Sequence, residues 1–409
     1  MQKHPIPNID DERTRLSSAA TGLQVMLAIV GFSALLGALW LGWNNSDELR
    51  SFTASYLVSY MSFLGISLGG LFFAALQHLT RAGWSVTVRR TAEIISASMP
   101  CMVLLFLPIL VPLLLGMTGP YYKWLDPELV AESSLLQWKK PYLNLPFFFA
   151  RAAIYFLTWV LLARFYYKNS TRQDVEGGPE LTRRMEKVAP VALILFGLTV
   201  TFAAFDWIMS LEPTWFSTIF GLYYFAGSVI AALAAMILFA IALQCRGYVA
   251  GAITVEHYHE LGKLMLGFVI FWGYMAFSQY MLIWYANIPE ESAWYLQRQS
   301  GSWMWVGLGL LFGHLILPFL GLLPRAVKRS KILLGAWAVW MLVIHWIDIY
   351  WLVMPTFAED HLPFGAMDAC CIIAIGSLML AAIVKIARKC ELIPTKDPRL
   401  EEALSFENF

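Results

Sequence analysis

Residues 55–79 read SYLVSYMSFLGISLGGLFFAALQHL, a run of twenty-five positions without a single Asp, Glu, Lys or Arg. A helix needs about 20 mostly apolar residues to cross a bilayer, so this stretch is long enough to span and too long and uniform for a buried soluble helix. Gly65 and Gly69 sit four apart in GISLGG, a small-xxx-small spacing that lets a second helix approach closely. Working outward, windows of the same kind recur over 21–43, 53–79, 91–117, 146–167, 188–211, 216–244, 263–287, 301–323, 332–354 and 364–386, ten in all. The longest connections, near 118–145 and 168–187, read as short, polar and turn-rich, and leave no room for a soluble domain. The expected architecture is an all-α integral membrane protein: a polar tail over 1–20, a ten-helix transmembrane domain over 21–387 and a second tail over 388–409.

Composition agrees with that reading. The 409 residues are 59% hydrophobic and 14% charged, with 17 Trp; soluble chains hold about 25% charged residues, and Trp and Tyr collect at the two membrane interfaces. The formal net charge of +1 gives no electrostatic reason for a nucleic-acid partner. The five cysteines, Cys101, Cys245, Cys370, Cys371 and Cys390, form no CxxC, CxxCH or ferredoxin-like pattern, which removes the sequence case for zinc, an iron–sulfur cluster or a c-type haem in this chain.

Orientation follows from Lys and Arg. Twenty-one fall on the side holding Lys3, Arg81, Arg183 and Arg399, against five (Arg50, Lys123, Lys139, Lys140, Arg298) on the other. The positive-inside rule places both termini in the cytoplasm, consistent with an even number of spans. The opening MQKHPIPNIDDERTRLSSAA lacks an apolar core and a cleavage site and reads as a retained cytoplasmic tail. Pro100, Pro108 and Pro112 are expected to kink the third span and free carbonyls that neighbours must satisfy.

Ionisable groups inside spans are costly and mark functional candidates. Counted from the predicted ends at about 1.5 Å per residue, Arg151, Asp206, His345, Asp348 and Asp368 share the outer third. His345 and Asp348, at i and i+3, lie on one helix face where they can exchange a hydrogen bond or a proton. Arg151 and Asp206, at matching depths on consecutive spans, are expected to form an ion pair, with a role in fixing helix register as the plain alternative. Gln279, Ser278 and Tyr274 could line the same cavity. An inner set comprises Gln77, His78, Glu93 and His314, with Ser62, Ser67 and Ser96 thinly bridging the middle; snorkelling to the interface is the plain alternative for His78 and Glu93. A b-type haem needs two axial ligands at one depth, and His78, His314 and His345 read as staggered, so no haem is expected. In FDWIMSLEPTWFSTIF (205–220), Asp206 and Glu212 stand beside a Pro-terminated hairpin on the outer face, where protons would be released.

Four segments carry a resemblance: residues 55–84, PYLNLPFFFARAAIYF (141–156), FDWIMSLEPTWFSTIFGLYYFAG (205–227) and HELGKLMLGFVIFWGYMAFSQYMLIWYANIPEE (259–291). Together they resemble the NrfD-like membrane subunits, of the ActF type, of alternative complex III, a bacterial quinol:electron-acceptor oxidoreductase; the wider family includes the membrane anchor of polysulfide reductase. The resemblance implies two four-helix bundles, about helices 2–5 and 6–9, with helices 1 and 10 outside. It also implies partner subunits, namely a second NrfD-like chain, an iron–sulfur protein and c-type cytochromes, which hold the clusters and haems. Quinol oxidation would belong to the other NrfD-like chain. Carried over residue by residue, His78, Arg151, Asp206 and Glu212 are implied members of a proton path; Glu93, His314, His345, Asp348 and Asp368 are added by depth alone. The rival readings are a quinone- or menaquinone-binding anchor that grips the head group with His345, Asp348 and Gln279, a secondary transporter with helices broken at mid-membrane, and a purely structural subunit.

Overall fold

The computed structural model describes residues 12–44, 49–116, 121–358 and 361–408. Lys3, His4 and the final residue of the third predicted span lie outside the described residues. Among the described residues there is no strand, and ten helices are long and apolar enough to cross a membrane. They are α1 (Ala20–Trp43), α2 (Arg50–Leu79), α3 (Val86–Leu114), α4 (Leu145–Glu176), α5 (Glu180–Leu211), α6 (Phe220–Gln244), α7 (Val255–Ala286), α8 (Gly301–Leu322), α9 (Lys331–Thr356) and α10 (Ala366–Ala387).

All ten sequence windows correspond to helices, but three helices run well past them at the Arg- and Lys-rich end. α4 continues to Glu176, α5 starts at Glu180 and α7 starts at Val255. Hydropathy detects only the part of a helix that is apolar, whereas backbone hydrogen bonding continues through the polar turns beyond the bilayer. The connection expected as a loop over 168–187 is therefore mostly helix, broken only at Gly177–Gly178, both with positive φ, and Pro179.

α2 and α6 form the centre of the bundle, with 89% and 72% of their apolar windows buried. α2 packs on α3, α5, α6, α9 and α10, and α6 on α2, α5, α7 and α9; α4 pairs with α5, and α1 lies outermost against α10. The α2–α6 seam depends on the paired glycines. A Cβ on Gly69 would sit 2.5 Å from the Ser228 carbonyl oxygen and 2.5 Å from the Ala232 Cβ, and one on Gly65 would sit 2.8 Å from the Ser228 hydroxyl. Between apolar helices in lipid, such backbone approach supplies the van der Waals contact that holds them together.

α3 breaks where its prolines require, with irregular turns at Ala97–Ser98 and at Phe106. The Phe106 break leaves two carbonyls without their helical donors, and α2 provides replacements. The Tyr60 hydroxyl donates to the Met102 carbonyl at 3.0 Å and the Tyr56 hydroxyl to the Leu105 carbonyl at 2.7 Å. α8 is irregular in a second way: residues Leu311–Ile316 form a π-helical turn, with the Trp340 indole of α9 donating to the Gly313 carbonyl at 2.7 Å.

Both terminal segments meet on the basic face, where the Leu392 amide donates to the Thr14 carbonyl at 2.7 Å. The segment after α10, expected as a tail, is folded down across that face. Asp397 pairs with Arg89 at 2.6 Å, Arg399 with Glu186 at 3.3 Å, and the Phe406 ring packs 6.2 Å from Trp84 and 6.1 Å from His257. Its apolar residues Leu392, Ile393, Leu400 and Ala403 are buried.

Gly69→Val tests the seam. Forcing a branched side chain against the Ser228 backbone is expected to cost about 1–3 kcal/mol, seen as a lower melting temperature in detergent. Gly197→Ala, where an added Cβ meets nothing within 4 Å, is expected to melt with the native protein.

Candidate functional site

The residues singled out by depth resolve into three buried groups and two isolated positions. On the face opposite the basic one, Arg151 of α4 and Asp206 of α5 form the expected pair in its two-toothed form: Nε donates to Oδ2 at 2.7 Å and Nη2 to Oδ1 at 2.9 Å. The Tyr155 hydroxyl, one turn along α4, donates to Oδ2 at 2.7 Å, and Arg151 Nη1 donates to the Tyr142 carbonyl at 2.8 Å. The guanidinium also lies 3.8 Å from the Tyr142 ring centroid and 4.4 Å from that of Phe147. Burial, with Asp206 beside it, pushes the Tyr142 phenol up to about 12. Every charge here has its counter-charge and hydrogen bonds, which is what a buried ion pair needs to be tolerated.

Deeper in the bundle lies the second group, and here the depth count is corrected. His314, assigned to the inner set, has its Nδ1 3.9 Å from Asp348 Oδ2. His314 lies within the π-helical turn of α8, and it meets Asp348 across the α8–α9 contact, a relation between facing helices that counting along one helix does not report. Asp348 is 1% exposed. It accepts a hydrogen bond from the Tyr223 hydroxyl of α6 and one from the Trp272 indole of α7 at 3.1 Å, and the Trp272 ring centroid lies 3.8 Å from that of His314.

His345 completes this group. It does not exchange the expected hydrogen bond with Asp348: its ring lies against the Ser62 backbone, and no side chain among the described residues is hydrogen-bonded to the ring nitrogens of His345 or of His314. Glycines on both sides make room for the imidazole. A Cβ at Gly227 would lie 3.0 Å from His345 Nδ1, and one at Gly65 3.3 Å from Nε2. The staggering expected of the three histidines holds for His78 but not for His314 and His345, which share one cluster in which the gap around the rings is filled by Trp272, Gly65 and Gly227.

The third group lies toward the basic face. Glu93 of α3 is fully buried rather than snorkelling: Oε1 accepts from Arg89 Nε at 3.2 Å and Oε2 from Arg90 Nε at 3.0 Å. Arg89 continues to Asp397 at 2.6 Å, and Arg90 to Asp174 at 2.8 Å and to the Ser170 hydroxyl at 3.0 Å. Three carboxylates (Glu93, Asp174, Asp397) face two guanidiniums (Arg89, Arg90), leaving one negative charge in excess, which a proton can balance. His78 is also buried, stacked 5.4 Å from the Tyr166 ring, with Nε2 unpartnered among the described residues. Between this group and the Asp348 group, the hydroxyls of Ser67 and Ser98 lie 3.1 Å apart.

The remaining candidates stand apart. Glu212 is bound by Lys123, at 2.7 Å to Oε1 and 2.6 Å to Oε2, on the rim of a cavity of about 360 Å3 lined by Thr214, Trp215, Glu290 and Trp294. Asp368 accepts from the Gly365 amide at 3.0 Å and so caps its own helix, α10. Gln279 is held by Ser217 at 2.9 Å and Tyr295 at 3.0 Å instead of by His345 or Asp348. Tyr274, expected in the cavity, is 63% exposed and faces outward. Arg298, counted as an outer-loop charge, is buried, donating to the Trp351 and Leu352 carbonyls at 3.2 and 2.8 Å, where a cation suits the end of α9.

Residues that sequence reasoning missed are Tyr223, Trp272, Arg89, Arg90, Asp174 and Asp397. Tyr223 and Trp272 look like ordinary aromatic residues within spans, and Asp174 and Asp397 look like solvated charges, so no local signal distinguishes them. Arg89–Arg90 ahead of Glu93 at i+4 and i+3 was the one readable cue.

No protein-family model matches the chain, and no curated protein matches it.

Asp206→Ala would leave Arg151 buried without its carboxylate, and the expected loss is about 3–5 kcal/mol, measured as a fall in melting temperature. The double substitution Arg151→Met with Asp206→Leu is expected to recover most of that loss, since it removes both charges together.

Proposed function

We propose that this chain is a membrane subunit of a quinol:cytochrome c, or other electron-acceptor, oxidoreductase of the alternative complex III type, and that it conducts protons in support of quinol oxidation in a neighbouring NrfD-like subunit. In this reading it is not catalytic alone and holds no redox centre. Its partners are the second NrfD-like chain, an iron–sulfur protein and c-type cytochromes, and it sits in the bacterial inner membrane with both termini in the cytoplasm.

The observation that carries the reading is the Asp348 group. A carboxylate deep within an apolar bundle has two neutral donors, Tyr223 and Trp272, and two imidazoles nearby whose ring nitrogens are hydrogen-bonded to no side chain among the described residues. One proton on this group can be written as a carboxylic acid with neutral imidazoles, or as a carboxylate with an imidazolium; both forms carry no net charge. Such a site exchanges a proton without placing a naked ion in the bilayer, where each isolated ion costs several kcal/mol. The path would start at the Glu93 network and His78, where one carboxylate is in excess, and pass Ser67 and Ser98 to the Asp348 group. It would leave by Asp206 and Glu212. A charge crossing 100 mV is worth about 2.3 kcal/mol, so the path must be interrupted at rest, and the stretch between Ser98 and His345 is the natural interruption.

A second reading, a quinone-binding anchor, is favoured by an apolar recess of about 540 Å3 on the opposite face, lined by Trp138, Tyr142, Phe205 and Phe216, with the Arg151–Asp206 pair directly behind Tyr142. A photo-reactive quinone that labels Tyr142 or Phe205 would support it.

In the assembled complex reconstituted into liposomes, Asp348→Asn is expected to slow quinol-driven proton release by about a hundredfold or more, with subunit composition unchanged. Native release rates in that variant would reduce the chain to a structural role.

A further inference from the structure

At the basic face, a cavity of about 600 Å3 opens between the end of α2, the first turns of α5 and the segment after α10, lined by Leu79, Arg81, Arg183, Lys187, Pro190 and Arg399 together with Glu186. We propose that this cavity binds the phosphodiester headgroup of an anionic phospholipid. Four cations face one carboxylate, and Glu186 is shared, at 3.3 Å, by Arg81 and by Arg399. Neither guanidinium is saturated by a single shared carboxylate, so both keep N–H groups to donate. Arg183 and Lys187 are exposed and make no ion pair among the described residues.

Arg399 is held in place: besides its pair with Glu186, its Nη1 donates to the Arg81 carbonyl. A guanidinium tied down on one side presents its remaining donors with less entropy to lose, and planar donors suit a phosphate.

The surface continuing from the cavity selects a lipid over a free anion. Arg183 and Lys187 lie on the same face of α5 as Val191, Ile194 and Leu198, at steps of four, four, three and four residues. Those three apolar side chains are 58%, 64% and 54% exposed. Cations at the helix end followed at once by an exposed apolar stripe reproduce the order of headgroup and acyl chain. Leu79 and Pro190 provide carbon surface where the two meet. Inorganic phosphate would engage the cations but gain nothing from the stripe, and a zwitterionic lipid would bring a positive group into an already positive site.

The test is native mass spectrometry of the purified full chain in detergent, titrated with phosphatidylglycerol, phosphatidylcholine or inorganic phosphate. The native protein is expected to retain one phosphatidylglycerol and no saturable phosphatidylcholine. A basic residue near an anionic lipid contributes roughly fivefold in affinity, so Arg183→Gln with Lys187→Gln is expected to weaken phosphatidylglycerol by about thirtyfold. Arg183→Lys with Lys187→Arg keeps the charge and is expected to bind, and Lys187→Gln alone to lose about fivefold, which guards against a double variant that fails to fold. Equal phosphatidylglycerol affinity in the native and Gln variants would overturn the proposal. So would displacement of the lipid by inorganic phosphate at comparable concentration, which would make the site a free-anion site.

Discussion

The rest of the structure depends on how closely α2 approaches α6. Gly65 and Gly69 let the two backbones meet over Ser228 and Ala232, and every other contact of the centre is built around that seam. The same seam sets the chemistry. Gly65 from α2 and Gly227 from α6 border the two sides of the His345 imidazole, so the closeness that holds the helices together also encloses the ring, which is 1% exposed. A larger residue at either glycine would move the ring, and with it the relation of His345 to Asp348 on the same face of α9.

Around that centre the polar groups divide by whether their charge is answered. Arg151–Asp206 and Lys123–Glu212 are closed pairs whose loss would leave a buried or half-buried ion alone. The Asp348 group and the Glu93 network are open, the first with a carboxylate and two imidazoles but no permanent cation, the second with one carboxylate in excess. In a medium without water, every buried polar atom that is not paired carries a cost of several kcal/mol. The bundle satisfies even the carbonyls freed in α3, through Tyr56 and Tyr60. Among the buried polar atoms left without a side-chain partner, the imidazole nitrogens of His314 and His345 are set apart by sharing one group with a buried carboxylate, Asp348, with which a proton can be exchanged.

Much of the fold was legible because a membrane span is a composition, and composition survives in a single sequence. The ten windows, the small-residue seam and the broken third span all follow from residue types read along the chain. Depth was legible for Arg151 and Asp206, which sit on regular helices. It misled at His314, because a count along one helix does not report how far that helix is offset from its neighbour or how far a side chain reaches across to it, and at Tyr274, because depth says nothing about which face of a helix points inward. The strap after α10 was read as a tail because its apolar residues are spaced among charges; its role comes from long-range pairs such as Arg89 with Asp397, which no local pattern encodes.

The proposed proton exchange at Asp348 is tested most directly by infrared difference spectroscopy of the protein within its proposed quinol-oxidising complex, comparing oxidised and quinol-reduced states of the native protein and of Asp348→Asn. The account predicts a carbonyl-stretch change from a protonated carboxyl group that is present in the native complex and missing in the variant. An identical carboxyl signal in both, or none in either, would contradict a proton-exchanging role for Asp348.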